Sequence, residues 1–332
     1  GAVPGYGDRD PVELYVLFNE LEKAGAPYDG LAVTMLVAGV INAVGTEFHH
    51  EEVLNKLLSG KHNCCLGYSE PDYGSDVASI TTKAEKIGNK WIINGQKMWT
   101  TMAHESDWVL LLTRTNSEVP KHKGMTMFLL PMNTPGIEIQ PVATMASERT
   151  NATFYDNVEV EDQWRLSEVD DGWSVMGIAL ALERGVMGGT NPAVPLLKHV
   201  LNWAETTPSK NKSLLINDAL MRERIARTAI INQVGQLLTL RAAWIAATGG
   251  MPGVEGSMAK IYASEEYQKV VGWFQQMAGA EGLLSFGAED AAASGWIDYD
   301  ARHAPVTTIY GGTSEINRNN IAERHLGLPR SR

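Results

Sequence analysis

The hydrophobic period changes twice along this chain, and that switch constrains the fold more than any other feature. Over residues 10 to 60, Leu14, Leu17, Phe18 and Leu21 recur at helix spacing, as do Val53, Leu54, Leu57 and Leu58 ahead of Gly60. Between about 63 and 165 the apolar runs shorten to strand length: Val109 to Leu112, Met125 to Leu130 and Phe154 to Val160. Ile137-Glu138-Ile139-Gln140-Pro141-Val142 alternates with period two, and Asn94-Gly95 sits between short apolar runs, a strong hairpin signal. From about 173, helix-length segments return, with Ile225, Ile231, Val234 and Leu238 on one face of Leu214 to Ala247, and Met258 to Met277 as another. Pro208, Gly249-Gly250-Met251-Pro252-Gly253 and Arg302-His303-Ala304-Pro305 read as breaks there. The pattern predicts an α+β chain: an N-terminal helical domain over 1–62, a compact, barrel-like antiparallel β domain over 63–165, and a helical bundle over 166–332.

Several function classes are disfavoured. A net charge of -11, with no basic stripe, argues against nucleic acid as a partner. No apolar run reaches the ~18 residues needed to span a bilayer, so no membrane insertion is expected. Gly1-Ala2-Val3-Pro4-Gly5 lacks the basic and apolar regions of a leader, and the two cysteines, Cys64 and Cys65, are adjacent, so a reducing cytoplasm is the expected location. Neither GxGxxG nor GxxxxGK[ST] occurs, which excludes the usual phosphate-cradling fingerprints. His49-His50-Glu51-Glu52 lacks metal-ligand spacing and reads as a solvated helix face, so no metal site is expected.

The informative segment is Leu66-Gly67-Tyr68-Ser69-Glu70-Pro71-Asp72-Tyr73-Gly74-Ser75-Asp76, followed by Ile92-Ile93-Asn94-Gly95-Gln96-Lys97-Met98-Trp99-Thr100-Thr101. With Pro135-Gly136-Ile137, Asp171-Gly172-Trp173 and the C-terminal Ile309-Tyr310-Gly311-Gly312-Thr313-Ser314-Glu315-Ile316-Asn317-Arg318, these motifs resemble the acyl-CoA dehydrogenase family over nearly the whole chain. The resemblance implies that family's fold, with a central β domain and a C-terminal four-helix bundle, and FAD as cofactor. It also implies a further helical segment ahead of Gly1 to Gly7, which makes the N-terminal helical domain look truncated or incomplete.

A flavin ring needs a flat apolar wall and a few hydrogen-bonding groups at its polar edge. Trp99 offers the wall, although alone it reads equally as a core tryptophan beside a hairpin. Ser69 and Thr101 offer hydroxyls and backbone amides, Ser75 would face the diphosphate or the CoA phosphates, and Tyr68 stands in the same turn. In the C-terminal motif and the loop before it, the resemblance adds Thr313, Glu315, Gln276 and Gly279 as cofactor-binding candidates.

The implied reaction desaturates an acyl thioester between its α and β carbons, so it needs a base for a weakly acidic α-proton. Many family members place a Glu directly after the C-terminal Tyr, but here Tyr310 is followed by Gly311. A second family arrangement puts the Glu in a Leu-Glu-Arg context after the β domain, which matches Leu180-Ala181-Leu182-Glu183-Arg184-Gly185-Val186-Met187-Gly188-Gly189 and makes Glu183 the candidate base. Its apolar neighbours favour a raised pKa. The alternative is a Glu183–Arg184 charge pair that only anchors the helix. Gly311 could still supply a backbone N–H to the thioester oxygen, and the volume freed there suits a bulky, branched or steroid-side-chain acyl group.

The site also looks incomplete. Family homotetramers draw an Arg from an Arg-x-x-Phe-Gly motif of a neighbouring subunit toward the FAD diphosphate. Here Thr206-Thr207-Pro208-Ser209-Lys210-Asn211-Lys212 follows Trp203-Ala204-Glu205 instead, and the second donated loop survives in part as Gln276-Met277-Ala278-Gly279-Ala280-Glu281-Gly282. A diphosphate without its guanidinium binds more weakly. The expectation is an α2β2 heterotetramer with a homologous partner subunit, as in the actinobacterial members that degrade steroid side chains, passing electrons to an electron-transfer flavoprotein-type acceptor. The alternatives are a homotetramer in which Lys210 or Lys212 replaces the Arg, a non-catalytic partner subunit, and a flavin oxidase of the same fold.

Overall fold

The structure is a computed structural model that describes residues 10–26, 29–186, 191–209, 212–250 and 252–330. Along the chain come α1 (Pro11–Ala24), α2 (Asp29–Val44), and α3 (Glu47–His49), which runs through a wide-turned stretch (His50–Leu54) into α4 (Asn55–Leu58). The strands follow: β1 (Cys64–Gly67), β2 (Lys83–Ile87), β3 (Lys90–Lys97), β4 (Trp108–Arg114), β5 (Met125–Pro131), β6 (Ile137–Ala143), β7 (Arg149–Glu161) and β8 (Arg165–Leu166). Then come α5 (Gly172–Val186), α6 (Ala193–Thr206), α7 (Ala219–Ala247), α8 (Glu255–Ala278), α9 (Trp296–Thr307) and α10 (Ser314–Asn320). They group into two compact units. One holds residues 29–144 and 148–183; the other holds 10–26, 145–147 and the chain from 184 onward. The helical residues of the first zone are thereby divided, α1 going with the C-terminal helices and α2 to α4 with the sheet.

In the first unit the strands pair in the order β6-β7-β3-β2-β4-β5-β8, with β1 beside β4. The sheet is mixed rather than antiparallel, because β1 and β2 both run parallel to β4. Its pairing path has β6 and β8 as open ends, so it is not a closed barrel. The four-residue β1 is too short to show a period, and this hid the parallel pairings from the sequence. β4 and β5 are buried along nearly their whole length, as strands covered on both faces should be. Trp91, Ile93, Val109, Leu111, Phe128 and Val158 centre this core.

The expected Asn94-Gly95 hairpin is not there. β3 runs straight through both residues, and the reversal falls at Gly88-Asn89, between the paired Ile87 and Lys90. Gly95 instead marks a bulge where the pairing slips between Ile93↔Val158 and Gly95↔Tyr155. Its φ is +146°, and a Cβ there would lie 2.7 Å from the Cα of Thr82, so the position needs glycine for close backbone approach.

His49 also departs from the reading of a solvated face. It is fully buried, and its Nδ1 accepts from the Thr46 backbone N–H at 3.2 Å and pairs with Thr46 Oγ1 at 2.9 Å. Burial lowers its pKa, so the ring is held as a neutral cap. Cys64 and Cys65 are both free and buried.

In the second unit the helix ends follow sequence chemistry. Asp10 caps α1 through its side chain at 2.8 Å from Val12 N, Pro11 fills the first turn, and Gly25 closes the helix at φ +67°. Asp218 caps α7 in the same way, 2.9 Å from Met221 N. Leu196, Val200, Met221, Ile231, Tyr267 and Phe274 centre the core that α6, α7, α8 and α9 share. Pro305 does not break the chain as expected; it lies inside α9, in the last turn, where it forfeits one N–H bond and any kink falls where the helix is already ending. Among the described residues no helix is long and apolar enough to cross a membrane.

Candidate active site

The Ser69 segment and the Trp99 segment are joined by a buried ion pair. β1 ends at Gly67 and releases Tyr68, Ser69 and Glu70; β3 ends at Lys97 and releases Met98 and Trp99. Lys97 Nζ lies 2.9 Å from Glu70 Oε1, with side-chain exposures of 0% and 3%. The same ammonium donates to the Tyr68 carbonyl at 3.1 Å. Glu70 also accepts from Thr81 N, Thr81 Oγ1 and Thr82 N at 2.7, 2.8 and 2.8 Å, so four donors converge on one carboxylate. Burial pushes this carboxyl up, but the Lys97 charge and the hydrogen bonds from Thr82, Lys97 and Thr81 outweigh it and hold it down to about 2. Burial also drives the Lys97 ammonium down, to about 8, against the pull of Glu70. The two directions bear on one contact in opposite senses. The four-donor geometry decides for the ionised pair near neutral pH.

On this anchor the backbone is fixed atom by atom. Met98 N donates to the Ser69 carbonyl at 2.9 Å, tying the two segments directly. Thr100 N donates to the Asn151 carbonyl at 2.9 Å, and Asn151 Nδ2 returns a bond to the Thr100 carbonyl at 3.0 Å. Trp99 and Met102 both take left-handed backbone, at φ 64° and 63°, an uncommon pair for non-glycine residues. The outcome is an indole that stands 56% exposed rather than in the core. Thr101 is exposed beside it, with its hydroxyl 3.2 Å from Thr150 Oγ1. Ser75 is exposed on the turn that follows Glu70, and that turn is pinned by Asp76, which accepts from Lys121 at 2.7 Å and Ser79 at 2.6 Å.

Glu183 belongs to the same unit. α5 buries Val175, Met176, Ala179 and Leu182 along one face, and Glu183 lies half-buried at its edge. The phenol of Tyr68 is held well above its ordinary range, by burial first and by the Glu183 charge second. Thus Tyr68, Ser69, Ser75, Trp99, Thr101 and Glu183 lie within one unit, while Gly311, Thr313, Glu315, Gln276 and Gly279 lie in the other.

In that second unit Gly311 and Gly312 are exposed with φ of 65° and 80°, and buried Asn317 fixes their turn by donating to the Gly312 carbonyl at 2.8 Å. Thr313 caps α10, its Oγ1 accepting from Ile316 N at 3.2 Å. Glu315 is exposed, and its pKa is lowered by its own backbone N–H and then by the Thr313 hydroxyl. Gln276 is exposed near the end of α8, and Gly279 closes that helix at φ 62°. Lys210, and Met187 to Gly189 of the Glu183 motif, lie outside the described residues, as does the side chain of Arg184; Lys212 is exposed.

Sequence reasoning quoted Glu70 and Lys97 without giving them a task. A signal existed: Lys97 has the same parity as the buried Trp91 and Ile93 on β3, an inward position where a lysine needs a partner. Asn151, one of many polar residues of β7 with no motif around it, carried no such signal.

The residues of the first unit fit the reactive end of a flat heteroaromatic cofactor. An open indole face stands beside exposed hydroxyls, on backbone too well bonded to collapse over it.

Comparison with known proteins bears on the family and the fold. The acyl-CoA dehydrogenase middle-domain model matches residues 65–158, and the C-terminal-domain model matches residues 170–326. Acyl-CoA dehydrogenase FadE34 of Mycobacterium tuberculosis is 35% identical over 96% of this chain, although the chain spans only 43% of the length of that relative. FadE26 of the same organism is 30% identical over 97% of this chain and 82% of its own length. Among solved structures, one described as the Tcur3481-Tcur3483 steroid ACAD has a TM-score of 0.90 at 29% identity, covering 98% of this chain and 86% of that one. The ChsE4-ChsE5 complex from Mycobacterium tuberculosis has a TM-score of 0.88 at 29% identity, covering 99% of this chain and 87% of that one.

Proposed function

We propose, for a chain that belongs to the acyl-CoA dehydrogenase family, that it desaturates a bulky, branched or steroid-side-chain acyl-CoA with Glu183 as the base. Members of this family are FAD flavoproteins, and FAD supplies the hydride acceptor when bound. The observation that carries the proposal is the Lys97–Glu70 clamp, which presents the exposed Trp99 beside Ser69 and Thr101 in the unit that also holds Glu183. Trp99 would form the wall against the ring, and Ser69 and Thr101 would meet its polar edge. Ser75 and Tyr68, with Gln276, Gly279, Thr313 and Glu315, are the further cofactor contacts in this proposal.

Glu183 would take the α-proton of the thioester. Glu183 stands half-buried at the edge of the helix face formed by Val175, Met176, Ala179 and Leu182, an apolar setting suited to a general base. The Gly311 N–H would donate to the thioester oxygen as negative charge develops there. The missing Arg motif after Trp203 leaves a diphosphate under-supplied with cations, and this supports a homologous partner subunit in an α2β2 assembly. The described relatives named as pairs, Tcur3481-Tcur3483 and ChsE4-ChsE5, are consistent with such an arrangement. An electron-transfer flavoprotein-type acceptor would reoxidise the enzyme.

The test is Glu183→Gln, expressed with and without a homologous partner chain and assayed by dye reduction with branched and ring-bearing acyl-CoA thioesters. The variant is expected to lose turnover by several orders of magnitude while flavin content stays at the wild-type level. Undiminished turnover would remove Glu183 from its role. Full flavin occupancy and activity of the chain alone would remove the partner, and peroxide release in place of dye reduction would favour an oxidase.

A further inference from the structure

Tyr68 combines a fixed backbone with an unsatisfied side chain. Gly67 before it pairs with Leu111 in the sheet, and its own carbonyl accepts from Lys97 at 3.1 Å. Its hydroxyl is buried and, among the described residues, has no hydrogen-bond partner. Leaving such a group unpaired is costly, and a phenylalanine would avoid the cost with the same ring. Burial and the charge of Glu183 both keep the phenol protonated, so over the working pH range it is a donor in search of an acceptor. The oxygen presents no surface to solvent, so the nearest source of an acceptor is a neighbouring side chain. The acceptor whose charge reaches Tyr68 most strongly is Glu183, which sits in the last turn of α5, where helix ends adjust at least cost.

We infer that Tyr68 is a positioning residue for Glu183: its hydroxyl donates to one carboxylate oxygen in the substrate-bound enzyme and leaves the other oxygen for the α-proton. The inference rests on the reading of Glu183 as the base. A donor on the ionised carboxylate stabilises the charged form, so it lowers the pH at which the base becomes active. It also selects one rotamer of the glutamate.

The experiment follows deuterium uptake from D2O at the α-carbon of cyclohexanecarbonyl-CoA by mass spectrometry. It uses the flavin-loaded enzyme with its partner chain, without electron acceptor, across the pH range. Uptake reads proton abstraction alone. For Tyr68→Phe the acid limb of the exchange rate is expected to move up by about one pH unit, a roughly tenfold loss below the limb. Thermal stability is expected to hold or rise, which shows that the variant folds. An acid limb in its wild-type place with a raised melting temperature would overturn the inference, because the phenol would then be only a packing group. Glu183→Gln separates the two levels. If it exchanges as the wild type does, or if the wild type takes up no deuterium, the base assignment fails and this inference with it. If it is inactive while Tyr68→Phe leaves the limb unmoved, only the role of Tyr68 fails. Should Tyr68→Phe not fold, Tyr68→Met is measured in its place against the same two outcomes.

Discussion

Lys97 and Glu70 meet at 2.9 Å with both side chains out of water, and their contact joins the end of β3 to the turn that carries Ser69. Every proposed flavin contact in the first unit lies within a few residues of this pair. Removing one partner strands the other as a buried charge, which costs about 3–5 kcal/mol. Lys97→Ala is therefore expected to lower the melting temperature sharply and to lower flavin content with it. The double variant Glu70→Gln/Lys97→Met should recover much of the stability, as urea unfolding would register, while the flavin site stays weakened. Equal stability of Lys97→Ala and wild type would contradict the clamp.

The pair also sets an acid limit. Glu70 has a folded-state pKa near 2 against an unfolded value near 4.5, so the unfolded state binds the proton more readily. Its contribution is complete above about pH 4.5 and is lost as pH falls toward 2. That shift corresponds to about 3 kcal/mol. Urea midpoints measured between pH 6 and pH 2.5 should fall steeply in the wild type, and Glu70→Gln, less stable at pH 6, should flatten the slope.

Trp99 offers a clean contrast. A core tryptophan truncated to alanine costs about 3–5 kcal/mol. An indole that is 56% exposed on left-handed backbone should cost far less, within about 0.5 kcal/mol for a surface position away from tight packing. Trp99→Ala is expected to leave the melting temperature of the cofactor-free chain nearly unchanged and to weaken FAD binding measured by fluorescence. A large loss of stability would return Trp99 to the core.

Asn151 holds the Trp99-Thr100-Thr101 turn through two bonds to Thr100, at 2.9 and 3.0 Å. Asn151→Ala keeps the backbone bond but removes the side-chain donor from the buried Thr100 carbonyl, which still accepts from Ala103 N at 3.3 Å, at about 0.5–1.5 kcal/mol. Calorimetry should find that loss, accompanied by faster flavin release. Asn151→Asp should be worse, because it replaces the donor with a buried charge.

Gly95→Ala tests the bulge. The added methyl would meet the Thr82 backbone at 2.7 Å, and Thr82 N is one of the donors to Glu70. The expected outcome is destabilisation beyond the ~1 kcal/mol usual for a strand glycine, together with loss of flavin, read by melting temperature and absorbance.

The helices were largely legible from periodicity and caps. Leu14, Leu17, Phe18 and Leu21 did mark α1, and Asp10 and Gly25 bound it. The family was legible from motifs, because Ser69-Glu70-Pro71 and Asn94-Gly95-Gln96-Lys97-Met98-Trp99 are local strings. The Asn-Gly pair misled, since its dipeptide chemistry suits a hairpin turn and a bulge alike. What separated the two was Thr82, thirteen places earlier, whose backbone leaves no room for a side chain at residue 95. The sheet order and the parallel pairings of β1 and β2 with β4 had no local signal at all.

What the sequence determined by itself was where helix gives way to strand, which residues cap and close the helices, and which family's strings the chain carries. Those are effects of near neighbours, and near neighbours are what a sequence displays. Only the tertiary structure decided that Lys97 neutralises Glu70, that Asn151 pins Thr100, that Trp99 stands in the open, and that Tyr68 and Glu183 share one unit. Each depends on groups brought together from distant segments and removed from water. Desolvation and the pairing that offsets it are properties of the folded packing, not of the order of residues.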